Sequence, residues 1–137
     1  MFRPLCRDGQ SYRPFVINYL KIHSDNTLQF YAVGGGSVVS SLITNQLFRD
    51  TSAWYHIVAS VDTRQATASN RIRIYINGIE ETVFTTETNP NQDRESMLNT
   101  PAYPHFIGSG VPSGSMLSGY ISEFVFIDGL QLTPTSF

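Results

Sequence analysis

Apolar and polar positions alternate with a period of two through most of this chain, most clearly over Trp54–Glu80, WYHIVASVDTRQATASNRIRIYINGIE. In Trp54–Asp62 the residues Tyr55, Ile57, Ala59 and Val61 share one face, and His56, Val58 and Ser60 share the other. In Arg71–Asn77 the isoleucines Ile72, Ile74 and Ile76 point one way, and Arg71, Arg73 and Tyr75 the other. The loop between the two runs, Thr63–Asn70, is small and polar apart from Arg64 and Gln65 and offers nothing to anchor a core. Asn77-Gly78 supplies two residues that tolerate positive φ, as a type I′ hairpin requires, and Ile79–Thr85 is predicted to return as the next strand. Two antiparallel strands with one dry face need a second layer over it.

The same reading extends in both directions. Met1–Arg13 mixes Pro, Gly and charge without period and reads as an irregular arm, leaving residues 14–137 as the folded domain. Phe15–Ile22 is a strand with both faces largely apolar, Ser24-Asp25-Asn26 a polar turn, and Thr27–Ala32 the return strand with Leu28 and Phe30 on one face. Gly34–Gly36 allows a sharp reversal into a weaker strand, Ser37–Thr44. Thr86–Pro101 is polar and without period, and Tyr103–Gly108 resumes a short strand. Gly119–Asp128, GYISEFVFID, is nearly continuously apolar, with Phe124 and Phe126 on one face and Ile121, Val125 and Ile127 on the other. That pattern predicts a strand buried on both sides and central in its sheet. Pro134 behind Thr133 predicts a closing helical turn. No segment carries a helical period over ten residues. The fold class expected is all-β, an antiparallel β-sandwich or jelly roll.

Composition narrows the function classes. A chain of 137 residues is long enough to bury a core as one domain. Nine basic against eleven acidic residues, net charge -2, give no dense positive patch for nucleic acid. No window approaches the roughly 18 consecutive apolar residues of a membrane span, and no charged-then-apolar leader is visible at the start. Cys6 is the only cysteine, which excludes an intrachain disulfide and reads as an N-terminal thiol without a catalytic role.

The run RDTSAWYHIVASVDTRQATASNRIRIYING, then YPHFIGSG, then LSGYISEFVFIDGLQLTPTSF, resembles the laminin-G-like members of the concanavalin A-like lectin/glucanase superfamily. The particular version is similar to copies in tail-fibre and other virion proteins of tailed bacteriophages of aquatic bacteria. The likeness is close over Phe48–Phe137 and looser over Pro14–Leu47. It implies a concanavalin A-like sandwich, a virion location and carbohydrate binding. Family members usually begin with an apolar-aromatic strand containing a Trp, and Met1–Arg13 has none. The sandwich therefore lacks its first edge strand, takes one from a neighbouring chain, or is shortened for a packed assembly. An unpaired edge invites pairing with another chain, so a homo-oligomer or contact with other virion chains is expected.

Some superfamily members are glycoside hydrolases, which need two carboxylates about 5–9 Å apart. Glu80 and Glu81 are adjacent and point to opposite faces, and Glu123 stands alone with Asp128 on the other face. No catalytic residue is assigned, and Glu123 reads as a solvated sheet-rim residue. His23, His56 and His105 lack metal-ligand spacing and read as strand-surface residues. Gly34–Gly36 lacks the Lys of a phosphate loop and is a turn. Trp54, at the start of an amphipathic strand, reads as a core plug in preference to a sugar platform. The resemblance implies calcium at a rim, for which Asn91 and Asp93 could give oxygens, but an ordinary polar loop is the preferred reading and no cofactor is expected. A sugar site needs an exposed aromatic face beside polar groups; Tyr103 near Asn99, or Tyr31 beside the glycines, would serve, and nothing in the sequence ranks them. The expectation is a non-enzymatic virion protein adhering to host-surface glycans as part of a tail fibre or other appendage. The alternative is a structural virion subunit, such as a capsid decoration or fibre-stabilising protein.

Overall fold

The structure, a computed structural model, describes residues 16–34, 37–95, 105–109 and 116–137. Expectations placed on the arm 1–13, Cys6, Gly35, Gly36, Asn99 and Tyr103 lie outside these. Among the described residues seven strands make two antiparallel sheets. The first holds β1 (Val16–Ile22), β2 (Thr27–Gly34), β3 (Ser37–Leu47) and β7 (Phe84–Thr88), in that order. The second holds β4 (Ile57–Val61), β5 (Ile72–Ile76) and β6 (Ile79–Glu80). The predicted β-sandwich is the observed architecture. Among the described residues β1 stands at one edge of the first sheet and β4 at one edge of the second.

Local chemistry sets the turns. The Asp25 carboxylate accepts the Thr27 amide at 3.0 Å and the Thr27 hydroxyl at 2.7 Å, while Asn26 takes φ 70. That Asx turn aligns β1 with β2, pairing Tyr19 with Tyr31 and Lys21 with Gln29. At the second hairpin Asn77 and Gly78 adopt φ 51 and 84, the left-handed pair the sequence called for. This register places Ile57 opposite Ile76, Ala59 opposite Ile74 and Val61 opposite Ile72.

The predicted isoleucine face is buried in the core, and Tyr75 on the opposite face of β5 is buried too. Ile72, Ile74 and Ile76 pack with Leu28, Phe30, Ala32, Leu42 and Phe48, and Tyr55, Ile57, Val61 and Phe84 close over the sides. Burial of each large side chain contributes about 1.5–3 kcal/mol. One polar group is built into this layer without penalty: the Thr44 hydroxyl accepts the Leu28 amide and donates to the Gln46 carbonyl, both at 3.0 Å.

Three strand expectations need correction. Ile79–Thr85 is not one strand: β6 ends at Glu80 in the second sheet, residues 81–83 cross over, and β7 starts at Phe84 in the first. Thr86–Thr88, placed in a loop by composition, belongs to β7 and pairs with Ile43 and Ser41. His105–Gly108 forms no strand; a single bridge joins Ser109 to Met116.

The largest departure is Gly119–Asp128. It is not a buried central strand: it has no ladder and is exposed throughout, with Phe124, Val125 and Phe126 each more than half in water. Glu123 within it sits at φ 55, a conformation incompatible with a straight strand. The chain is tied back to the sheets beyond the C-terminal end of this stretch. Gln131 Nε2 donates to the Asn70 carbonyl at 3.2 Å, and the Phe137 ring meets His56 edge-on at 6.4 Å. The closing turn is present as a 3-10 turn over Pro134–Ser136, with Thr133 extended before it. The Thr133 hydroxyl bonds the Thr135 hydroxyl and does not cap the turn.

Candidate functional site

The short segment between β3 and β4 is shaped from both ends. The Asp50 carboxylate accepts the Ser52 hydroxyl at 2.6 Å and its amide at 2.9 Å, and these bonds, the hydroxyl's first, hold its pKa below the usual carboxylate range. Downstream, Asn77 grips the His56 backbone twice: its side-chain oxygen accepts the His56 amide at 2.9 Å, and its own amide donates to the His56 carbonyl at 2.8 Å. Between these clamps Tyr55 turns inward and meets Phe48 edge-on at 5.0 Å. Trp54, one residue earlier, is therefore turned outward and is 69% exposed.

Trp54 is not a core plug. The core-facing ring is Tyr55, and the alternation already put Trp54 in phase with His56, off the isoleucine face. Trp54 lines an open cleft of about 700 Å³ together with Thr51, Ser52, Ala53, Ser118, Gly119 and Tyr120. Tyr120 is 90% exposed. The cleft thus combines two large aromatic rings, three hydroxyl side chains and the backbone of small residues. Its volume lies within the range of roughly 300–1,000 Å³ typical of ligand sites. None of its seven lining residues is a carboxylate. Nothing in the sequence flagged Tyr120, because its partner segment is more than 60 residues away along the chain.

The other candidates fall elsewhere. Tyr31 is stacked on Tyr19 at 5.1 Å and 15°, with the Lys21 ammonium 4.5 Å over the Tyr19 ring, so one face of Tyr31 is already occupied. The same outer face of the first sheet carries a polar ladder, in which Tyr19 donates to Gln29 Oε1 at 3.2 Å, His23 also bonds that oxygen, and Gln29 donates to Ser41 at 3.1 Å. His56 is exposed against Phe137, and His105 is exposed on an irregular segment. Glu80 lies 3.7 Å from Arg73 Nε, and Glu81 accepts the Val83 amide. Glu123 is exposed, but on the irregular closing stretch and not on a sheet rim.

Asn91 and Asp93 have different surroundings. Asn91 lines a smaller cavity of about 250 Å³ with Gly34, Ser37, Val38, Val39, Thr88, Asn89 and Arg94, and Asp93 is not part of it. Calcium takes about six to eight oxygens, and no group of three or more acidic, His or Cys side chains converges among the described residues. The loop is ordered by other means: the Asp93 amide donates to the Thr63 carbonyl and Gln92 Nε2 to the Arg64 carbonyl. Arg71 ties this loop to the one after β4. Its guanidinium donates to the carbonyls of Gln65, Ala66 and Pro90 at 2.8, 2.9 and 2.8 Å. Asp62 organises the start of the latter loop by accepting from Arg64 and Gln65.

Two packed antiparallel sheets define an all-β sandwich, and the aromatic cleft lies beside the loop that enters β4. The sequence agrees with that class. A model of the laminin G type within the concanavalin A-like lectin/glucanases superfamily matches residues 7–135, and the chain belongs to that family. No curated protein and no solved structure matched the chain.

Proposed function

We propose that the chain is a non-catalytic carbohydrate-binding domain that holds a glycan in the Trp54–Tyr120 cleft. The observation that carries this is the outward Trp54 beside Tyr120, with the hydroxyls of Thr51, Ser52 and Ser118 around them. A pyranose presents an apolar C–H face to an aromatic ring and hydroxyls at its rim, which is the chemistry this cleft matches. The absence of a carboxylate among the lining residues supports binding without hydrolysis. The resemblance to virion proteins supports a place on a phage appendage such as a tail fibre, where host-surface glycans would be met by many copies at once and weak single sites would add through avidity. Other virion chains and further copies of this chain are the proposed partners, with no nucleic acid and no inserted membrane segment. No helix among the described residues is long and apolar enough to cross a membrane. A structural virion subunit is the second reading, and the exposed apolar run at residues 117–130 favours it.

A glycan array read with wild type and Trp54→Ala tests the assignment. Removing an aromatic platform costs about 1–2 kcal/mol of binding, on the order of a tenfold loss. Because Trp54 is exposed, the melting temperature should stay close to wild type. Equal binding by both proteins, or none by wild type, would remove the cleft from consideration. Turnover of any glucan that Glu123→Gln abolishes would show an enzyme instead.

A further inference from the structure

The smaller cavity, of about 250 Å³, is lined by two side chains that each carry an unused polar atom, Asn89 Oδ1 and Arg94 Nε. Neither atom touches solvent, and neither bonds any protein group, the other included. A buried donor or acceptor without a bond carries its full desolvation penalty, so native structures keep few of them and each asks for an explanation. Arg71 gives the contrast, since its guanidinium is fully spent on three carbonyls. The orientation of the Asn89 amide is fixed as well. Its Nδ2 donates to the Glu87 carboxylate at 2.7 Å, and a carboxylate only accepts, so the atom left over is the carbonyl oxygen.

The cavity wall thus offers one N–H donor and one carbonyl acceptor, beside the apolar side chains of Val38, which is 51% exposed, and Val39. An anion is not the natural occupant. Glu87 holds Asn89, and Asp93 and Glu95 adjoin Arg94 along the chain, so one cation stands among three carboxylates. What matches is a neutral group with an acceptor and a donor side by side and a small apolar end. A secondary amide carrying a methyl group is such a group.

We propose that this cavity is a second sugar site, selective for an N-acetylated hexosamine that it holds by the acetamido group. The acetamido carbonyl accepts from Arg94 Nε, the acetamido N–H donates to Asn89 Oδ1, and the methyl rests on Val38 and Val39. Arg94 is half-buried and turns its Nε–H into the cavity as the sugar enters. A peptide would present the same amide, but a volume below the roughly 300–1,000 Å³ of larger ligand sites admits one ring with its substituent and not an extended chain. The site lies at the other end of the sandwich from Trp54. β4 starts beside the Trp54 cleft and ends at Val61, and just beyond it the Asp93 amide reaches the Thr63 carbonyl. The two sites are therefore about one β4 length apart, roughly 17 Å, too far for a single ring to fill both. One copy of the domain then has two separate points of attachment. This inference does not rest on the Trp54–Tyr120 cleft.

The test is chemical-shift mapping of the isotope-labelled full chain titrated with N-acetylglucosamine, with glucose as the control. The expected result is saturable shifts at the amides of Ser37, Val38, Val39, Thr88, Asn89 and Arg94 with N-acetylglucosamine and none there with glucose. Arg94→Lys keeps the charge but loses the Nε–H, and should weaken binding about tenfold or more. Asn89→Leu removes the acceptor and should act alike. Should either variant fail to fold, the other carries this arm, and the comparison with glucose stands on wild type alone. Trp54→Ala should leave these shifts unchanged, which separates failure of this cavity from failure of the cleft. Equal shifts with glucose overturn the proposal, as do equal shifts with N-acetylglycine methylamide, which would make this a peptide site. No shift at any concentration, or binding that both Arg94→Lys and Asn89→Leu leave intact, overturns it too.

Discussion

Residues 72–76 and residues 124–127 are written in the same apolar, strand-forming alphabet, yet they end in opposite places. Ile74 is fully buried, while Phe126 is more than half exposed. The difference lies in what flanks each run. Ile72–Ile76 is followed by Asn77-Gly78, which folds the chain back, and is tied through Asp62 and Arg71 to the strand before it. The run at 119–128 has a long Gly/Ser/Pro stretch before it, and although Asp128-Gly129 follows it with Gly129 at φ 85, no strand returns from that turn among the described residues. Strand propensity is a local property, but burial requires a partner, and a partner without a short connection must be found at greater entropic cost.

Substitutions that treat the two regions alike should separate them. Ile74→Ala creates a cavity between the sheets and should cost about 2–5 kcal/mol in urea unfolding. Phe126→Ala should cost less than about 1 kcal/mol because the ring is already in water. Equal losses would mean that the closing stretch packs in the core after all. Arg71→Ala should fall between them. It removes three charge-assisted bonds to carbonyls and should cost about 1–3 kcal/mol, with faster proteolysis in both loops the side chain holds.

The smallest effect expected is on acid stability. Arg64, then Gln65, holds the Asp62 carboxyl down to about 2, so its native pKa lies below its unfolded one. Its contribution is therefore complete above about pH 4 and is lost as the pH falls through about 2. Bonds from Thr27 and from Ser52 lower Asp25 and Asp50 in the same sense. Melting curves of wild type and Asp62→Asn should converge over that interval. A gap that persists unchanged at the lowest pH would show that the side chain acts through something other than its charge.

What could be read from the chain follows the same division. The Asx turn at Asp25, the Asn77-Gly78 hairpin and the isoleucine face each depend on residues within a few positions of one another, and all three are where the alternation puts them. The split of Ile79–Thr85 into β6 and β7 was not legible, because a change of sheet leaves the period of two intact. Trp54 was half legible. Its phase set it apart from Tyr55 and the core, but its size argued for burial. Tyr120 carried no signal, since only the fold brings it to residues 51–54.

Arg71 has a consequence for the medium the domain can work in. Its three acceptors are peptide carbonyls, which neither titrate nor attract counterions as a carboxylate does. Salt that screens an exposed pair such as Arg64 with Asp62 has little purchase on charge–dipole bonds made at contact in a partly buried pocket. The rim where the two loops meet is thus held by an ionic group yet is largely indifferent to ionic strength, a cross-tie that works alike in fresh water and in brine.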